Sequence, residues 1–221
     1  MLRINLVQWG LKGMIASIMG LTFVIGSYAE ETYLEEVVVT AQKRDENITD
    51  VPISITQLSG DRMNARFAGG GDIMELRSAV PGLHIESSNG RGAPRFYLRG
   101  LGNADFTAAA SQPVTVIFDD VPVELSTLRA FPIFDMESIE VARGPQGTLF
   151  GRNTTAGFVH VKSALPTEEF EGYINVQSGT YDTLNFEGAV SGTLIEDKLM
   201  GRLSILNQNR GDWVNNPILG T

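Results

Sequence analysis

The chain contains no cysteine among its 221 residues. That excludes disulfides, thiolate metal ligands and cysteine nucleophiles, and it suits a protein that crosses an oxidising compartment. Histidine is scarce as well. His84 and His160 lie far apart, each in an alternating strand-like pattern, so they read as structural side chains and no metal site is indicated. Positive charge is in deficit: 17 Lys and Arg stand against 26 Asp and Glu, a formal net charge of −9, which argues against nucleic acid as a partner. The glycines between Arg143 and Gly151 lack both the four-residue gap and the following Lys-Ser/Thr of a phosphate loop, and no Gly-x-Ser-x-Gly elbow occurs. Asp119 and Asp120 are neighbours, which on a strand point to opposite faces and cannot work as an acid/base pair. A turn explains them better. With no catalytic constellation and no cofactor motif, the chain reads as a non-enzyme.

A long apolar run is also missing. Residues 13–26 (GMIASIMGLTFVIG) are uncharged and largely apolar, but they fall short of the ~20 residues a membrane-spanning helix needs. Arg3 and Lys12 precede this run and Ser27-Tyr28-Ala29 follows it with small residues at the −3 and −1 positions. The pattern predicts an export signal over 1–29, cleaved after Ala29, with a membrane-anchoring helix as the other reading.

Residues 30–50 are polar and charged apart from Val37-Val38-Val39, and no amphipathic period is long enough for a helix. They predict a mobile extended segment, or a plain linker. A compact domain is expected over 51–166. VPISIT alternates like a half-buried strand. Two short helical stretches follow, one after Ser59 and one after Asp72, the second closed by Pro81-Gly82. LHIES, RFYLRG and FVHVKS read as strands, with a glycine-rich segment at 89–94 and a long loop of small residues at 101–112. Residues 114–118 and 121–125 bracket Asp119-Asp120 as a hairpin. Five or more short strands with two small helices predict a mixed α+β core.

Beyond Pro166 the alternating runs lengthen. Leu184, Phe186, Gly188, Val190, Gly192 and Leu194 alternate with Asn185, Glu187, Ser191 and Thr193, and residues 199–205 repeat the pattern after the turn Glu196-Asp197-Lys198. Each run approaches the ~10 residues with which a tilted strand crosses an outer membrane, one face in lipid and one in a wet lumen. A soluble sandwich shows the same alternation. The residues of 167–221 suffice for about four or five such strands, whereas closed bacterial barrels begin at about eight. This chain cannot close a barrel alone, so either it is the start of a longer barrel or the residues after Pro166 are not a membrane barrel.

Four segments in this order carry a resemblance: 35–44 (EEVVVTAQKR), 51–63 (VPISITQLSGDRM), 80–83 with 97–100 (VPGL, YLRG), and 139–155 (IEVARGPQGTLFGRNTT). On them the chain resembles TonB-dependent outer-membrane receptors of the siderophore-receptor-like branch. The resemblance implies an α+β plug domain, a small mixed sheet with short helices, followed by the first antiparallel strands of an incomplete transmembrane β-barrel. It implies a TonB box at Glu36, Val37, Val38, Val39, Thr40 and Ala41 that pairs with the energy-coupling protein of the inner membrane. A β-prone segment of that kind can add itself to a partner's sheet edge. Arg99, Glu140 and Arg143 match charged positions that in the family lie between plug and barrel wall; on the residues alone they also suit solvated strand ends. The loops carrying Asn89, Arg91, Asn103 and Gln112 are those expected to face the ligand. Asp120 in the hairpin turn, His160 in its strand and Ala156 after the last motif depart from the family pattern.

The function so implied is TonB-dependent active transport of a scarce nutrient, a ferric siderophore first among the candidates, with this chain supplying coupling and gating. Its other partner would be outer-membrane lipid around the complete barrel. The alternative is a truncated, soluble periplasmic plug that binds the coupling protein or the ligand without transporting. A secreted enzyme is a third class, for which no residues speak.

Overall fold

A computed structural model describes residues 37–40, 43–44, 46–67, 71–88, 90–105, 107 and 110–211. The expected export signal, together with Glu36, Ala41 and Asn89, lies outside the described residues.

At the centre is a five-stranded mixed sheet in the order β3-β8-β9-β6-β7, built from β3 (Ser54–Ser59), β6 (Val114–Phe118), β7 (Val121–Val123), β8 (Met136–Arg143) and β9 (Gly157–Ser163). Only the β6–β9 pairing is parallel; β3–β8, β8–β9 and β6–β7 are antiparallel. The inner strands β8 and β9 are almost continuously buried, as strands covered on both faces must be.

Ile139, Val141, Val159, Val161, Val114 and Val116 point into the main core. There they meet Met63 and Phe67 of α1 (Gly60–Phe67), Ile73 and Leu76, and the hairpin of β4 (Leu83–Glu86) and β5 (Arg95–Leu98). Helix α1 forms as the sequence predicts. The second predicted helical stretch is instead a 3-10 helix over Ile73–Ser78, with Asp72 capping it by accepting from the Met74 amide at 2.9 Å. It has six residues before Pro81 intervenes, too few to repay α-helix nucleation.

The Asp119-Asp120 hairpin is present. Both aspartates adopt positive φ, 43° and 66°, which their short polar side chains tolerate, and the Asp119 carboxylate accepts from the Ser163 amide at 2.8 Å. At the start of β9, Gly157 is required: its φ is 141° and an added Cβ would fall 2.1 Å from the Ala142 carbonyl oxygen.

The opposite sheet face carries a smaller cluster, Ile117, Ala142 and Phe158, with Ile53, Ile55 and Phe150 against it. Phe150 belongs to α2 (Gly147–Phe150). The sheet leads through residues 164–170 into three antiparallel strands, β10 (Glu171–Gly179), β11 (Thr183–Ile195) and β12 (Leu199–Asn209). No helix among the described residues is long and apolar enough to cross a membrane, which says nothing of strands.

Candidate functional site

The segment predicted to be mobile and extended is folded back where it is described. Residues 37–40 and 46–48 form the two arms of a short hairpin, β1 (Val38–Val39) antiparallel to β2 (Glu46–Asn47). It is extended by an Ile48 amide to Val37 carbonyl bond of 2.9 Å and turned by the Lys43 amide on the Thr40 carbonyl at 2.8 Å. The cause is partly apolar, since the Val39 side chain is fully buried, and partly polar. Gln57 Nε2 donates to the Val38 carbonyl at 2.7 Å. The Thr40 amide donates to Glu140 Oε1 at 2.9 Å, and the Thr40 hydroxyl reaches the same oxygen at 3.2 Å.

Gln57, Glu140 and His160 form one row across β3, β8 and β9, because Gln57 pairs in register with Glu140 and Glu140 with His160. Glu140 is 1% and His160 2% exposed. Glu140 Oε2 and both His160 ring nitrogens reach no hydrogen-bond partner among the described residues, and the Asp120 carboxylate stands 3.6 Å from His160 Nε2. Burial pushes the Glu140 carboxyl above its usual range, outweighing the Thr40 bonds and Lys162. Burial likewise pushes the His160 imidazole down, against the pull of Asp120 and Asp119. A cavity of about 540 Å³, lined by Thr40, Lys43, Arg44, Asp120, His160 and Lys162, opens beside this row.

Of the three charged residues expected between plug and barrel wall, Glu140 is thus bonded to the N-terminal segment. Arg143 donates through Nη1 to the Pro81 carbonyl at 3.0 Å, and Arg99 is exposed on a turn with φ 52°. The contact between the central domain and the long strands is made by a residue the sequence reading passed over. Asp135 is engaged by Arg202 of β12, from Nε at 2.9 Å and from Nη2, and by the Ser204 hydroxyl, while Arg202 also reaches Glu171 at 3.4 Å. The Asp135 and Arg202 side chains are 7% and 13% exposed. The only signal in the sequence was that Arg202 and Ser204 sit on the polar side of an alternating strand; nothing local marks Asp135 as their partner.

Of the loop residues expected to face a ligand, the three that are described, Arg91, Asn103 and Gln112, are held by their own surroundings. Arg91 pairs with Asp72 at 3.1 Å. Asn103 donates to the Ser111 carbonyl at 2.9 Å, and Gln112, buried, donates to the Asp105 carbonyl at 2.6 Å. The latter two brace the 101–112 loop across its base. Among the described residues no three of His, Asp or Glu gather as a metal site.

A small mixed-sheet domain with short helices, followed by three longer antiparallel strands, is the fold of a plug domain leading into the first strands of an incomplete barrel. The chain belongs to the TonB-dependent receptors: residues 47–158 match the family model of the TonB-dependent receptor plug domain. It is 32% identical over 187 residues to the pesticin receptor of Yersinia pestis, covering 81% of this chain and 26% of that protein. It is 29% identical over 196 residues to the ferric-pyoverdine 358 receptor of Pseudomonas putida, covering 86% and 23%. The solved ferric yersiniabactin uptake receptor of Yersinia pestis superposes with a TM-score of 0.63 at 29% identity, covering 71% of this chain and 24% of that one. The pyoverdine outer-membrane receptor of Pseudomonas aeruginosa superposes with a TM-score of 0.64 at 20% identity, a likeness of fold, covering 80% and 25%. The chain spans about a quarter of the length of these relatives. They are receptors by name, in keeping with a non-enzyme.

Proposed function

We propose that this chain is the gating and coupling part of an outer-membrane receptor for a scarce nutrient, with a ferric siderophore as the leading substrate class. In this reading residues 1–29 direct export, residues 36–41 are the TonB box, residues 51–166 the plug, and residues 167–221 the beginning of the wall. The observation that carries it is the two-sidedness of β10–β12. Ile174, Val176, Leu184, Val190, Leu203 and Ile205 share one face, whereas Asn185, Glu187, Ser191, Arg202 and Ser204 share the other, and it is this polar face that binds Asp135 of the plug. A lipid-facing and a lumen-facing side are what a transmembrane strand needs. The siderophore class is supported by the names of the ferric-pyoverdine and ferric yersiniabactin receptors among the similar proteins. The TonB box is supported by its β-prone residues on a segment that makes only a two-residue ladder of its own.

The test is uptake. The full receptor carrying this chain is expressed in an iron-starved Gram-negative host deleted for its own siderophore receptors. Radioactive iron uptake is then followed from a panel of ferric siderophores, with and without the energy-coupling protein. We expect uptake from at least one panel member, lost when the coupling protein is deleted. Uptake from none removes the siderophore class, and uptake that survives the deletion removes the coupling role.

A further inference from the structure

Alternation along a strand puts residues two apart on one face, so His160 and Lys162 of β9 look the same way, and β8 sets Glu140 beside His160 in register. Two turns from distant parts of the chain reach that face. The β6–β7 turn brings Asp120, because β6 runs parallel to β9 with Ile117 opposite His160. The turn in which the Lys43 amide bonds the Thr40 carbonyl brings Lys43 and Arg44. Together with Thr40 these side chains line the cavity of about 540 Å³. Its lining holds three cations and one carboxylate, in a chain whose formal net charge is −9. Each cation is steadied by a group that does not line the cavity. Lys43 Nζ lies 5.4 Å from the centre of the Phe150 ring, Arg44 Nε 2.8 Å from Glu46, and Lys162 Nζ 3.8 Å from Glu137.

We propose that this cavity binds a compact oxyanion carrying two or more negative charges, of the phosphate or polycarboxylate class. Lys43, Arg44 and Lys162 supply the charge and His160 a buried hydrogen bond. The imidazole is the observation that points to a ligand. It lines the cavity, is 2% exposed, and neither ring nitrogen has a hydrogen-bond partner among the described residues, although buried polar groups are nearly always bonded. Asp120 stands 3.6 Å away, beyond hydrogen-bond reach. Burial keeps the ring neutral at pH 7, and a neutral imidazole still donates one N–H. Guanidinium and ammonium groups are the donors that phosphates and carboxylates recruit. Most of the neighbouring acids are engaged already: Glu46 and Glu137 face Arg44 and Lys162, Asp119 accepts from Ser163, and Glu140 holds Thr40. Asp120, the one acid in the lining, has a side chain 81% exposed, where water and salt screen it. A water molecule takes about 30 Å³ of the liquid, so the space admits such an ion together with several waters.

Isothermal titration of the full receptor in an uncharged detergent, at fixed ionic strength in sodium chloride, tests this with inorganic phosphate, pyrophosphate and citrate. We expect saturable binding of at least one of them. Binding of the first two alone assigns the phosphate class, and binding of citrate alone the polycarboxylate class. Lys43→Met and Lys162→Met should each weaken it about tenfold, the worth of one charge-assisted bond. His160→Leu, which removes a neutral donor, should weaken it about fivefold. Lys43→Arg and Lys162→Arg should keep most of the binding. Lys198→Met, in the β11–β12 turn and outside the cavity lining, should bind as the parent does. Near-ultraviolet circular dichroism checks that each variant is folded, and where a methionine variant is not, Lys43→Gln or Lys162→Gln takes its place. No saturable binding by the parent overturns the proposal, as does binding that the Lys43 and Lys162 variants leave unchanged or that Lys198→Met weakens equally. The site does not depend on which nutrient is carried, so failure of siderophore uptake leaves this result untouched and the two readings fail separately.

Discussion

At the scale of single residues, the burial of His160 has a consequence for pH. Its imidazole is depressed below the ordinary value of about 6.5 by burial first, with Lys162 adding to the effect and Asp120 and Asp119 opposing it. The unfolded chain therefore takes up a proton on acidification through about 6.5 that the folded chain resists, so stability falls as the pH drops from there towards the depressed value. Glu140 works in the opposite sense. Its raised pKa contributes stability at low pH that is lost as the pH rises through the folded value. We expect the parent to lose more thermal stability than His160→Gln between about pH 7 and pH 5.5, followed by near-ultraviolet circular dichroism. Parallel pH slopes would show that His160 is not the group responsible. His160 was visible in the sequence as a departure from the family pattern, but its pairing with Glu140 depends on the register of β8 against β9, which no local signal states.

At the scale of elements, the plug and the long strands are joined through Asp135. It sits at positive φ, 52°, just before β8, and receives Arg202 and Ser204 from one face of β12. Burial disfavours the Asp135 carboxylate, but the bonds from Arg202 and Ser204 outweigh that and hold it ionised below its usual range. Removing one member of a buried pair leaves the other charge uncompensated, typically at about 3 kcal/mol or more. Asp135→Ala should therefore loosen the junction, seen as faster proteolytic cleavage within residues 164–170 of the full receptor, while Glu171→Ala, at the longer and more exposed arm, should change it little. Equal cleavage in both variants would mean that the junction is held elsewhere. The elements themselves were largely legible. Strand periodicity and the Asp-Asp turn placed β3, β6, β7, β9, β11 and β12, whereas the 3-10 form of Ile73–Ser78 and the folding back of β1 on β2 depend on packing beyond the segment.

At the scale of the whole molecule, the sidedness of β10–β12 predicts how substitutions partition. Val190 lies on the apolar face beside Leu203, and Gln177 on the opposite face beside Asn185. A lysine on a lipid-facing strand position costs about 2–4 kcal/mol near the bilayer midplane, and far less on the lumen side. In the full receptor Val190→Lys should reduce the fraction that inserts and shows heat-modifiable mobility, and Gln177→Lys should not. The reverse result would mean that the sheet is turned the other way round or is not in lipid.

The sequence by itself determined the alternation of each strand, the turn residues that separate them and the order of motifs that marks the family. Those are properties of neighbours along the chain: side-chain period, backbone tolerance at positive φ and composition. Tertiary structure alone decided which of the charged residues would meet. It put Glu140 under Thr40, 100 residues earlier, and Asp135 against Arg202, 67 residues later. Partners so far apart are chosen by strand order and register, and a shift of one residue in either pairing would turn the same side chains to the opposite face.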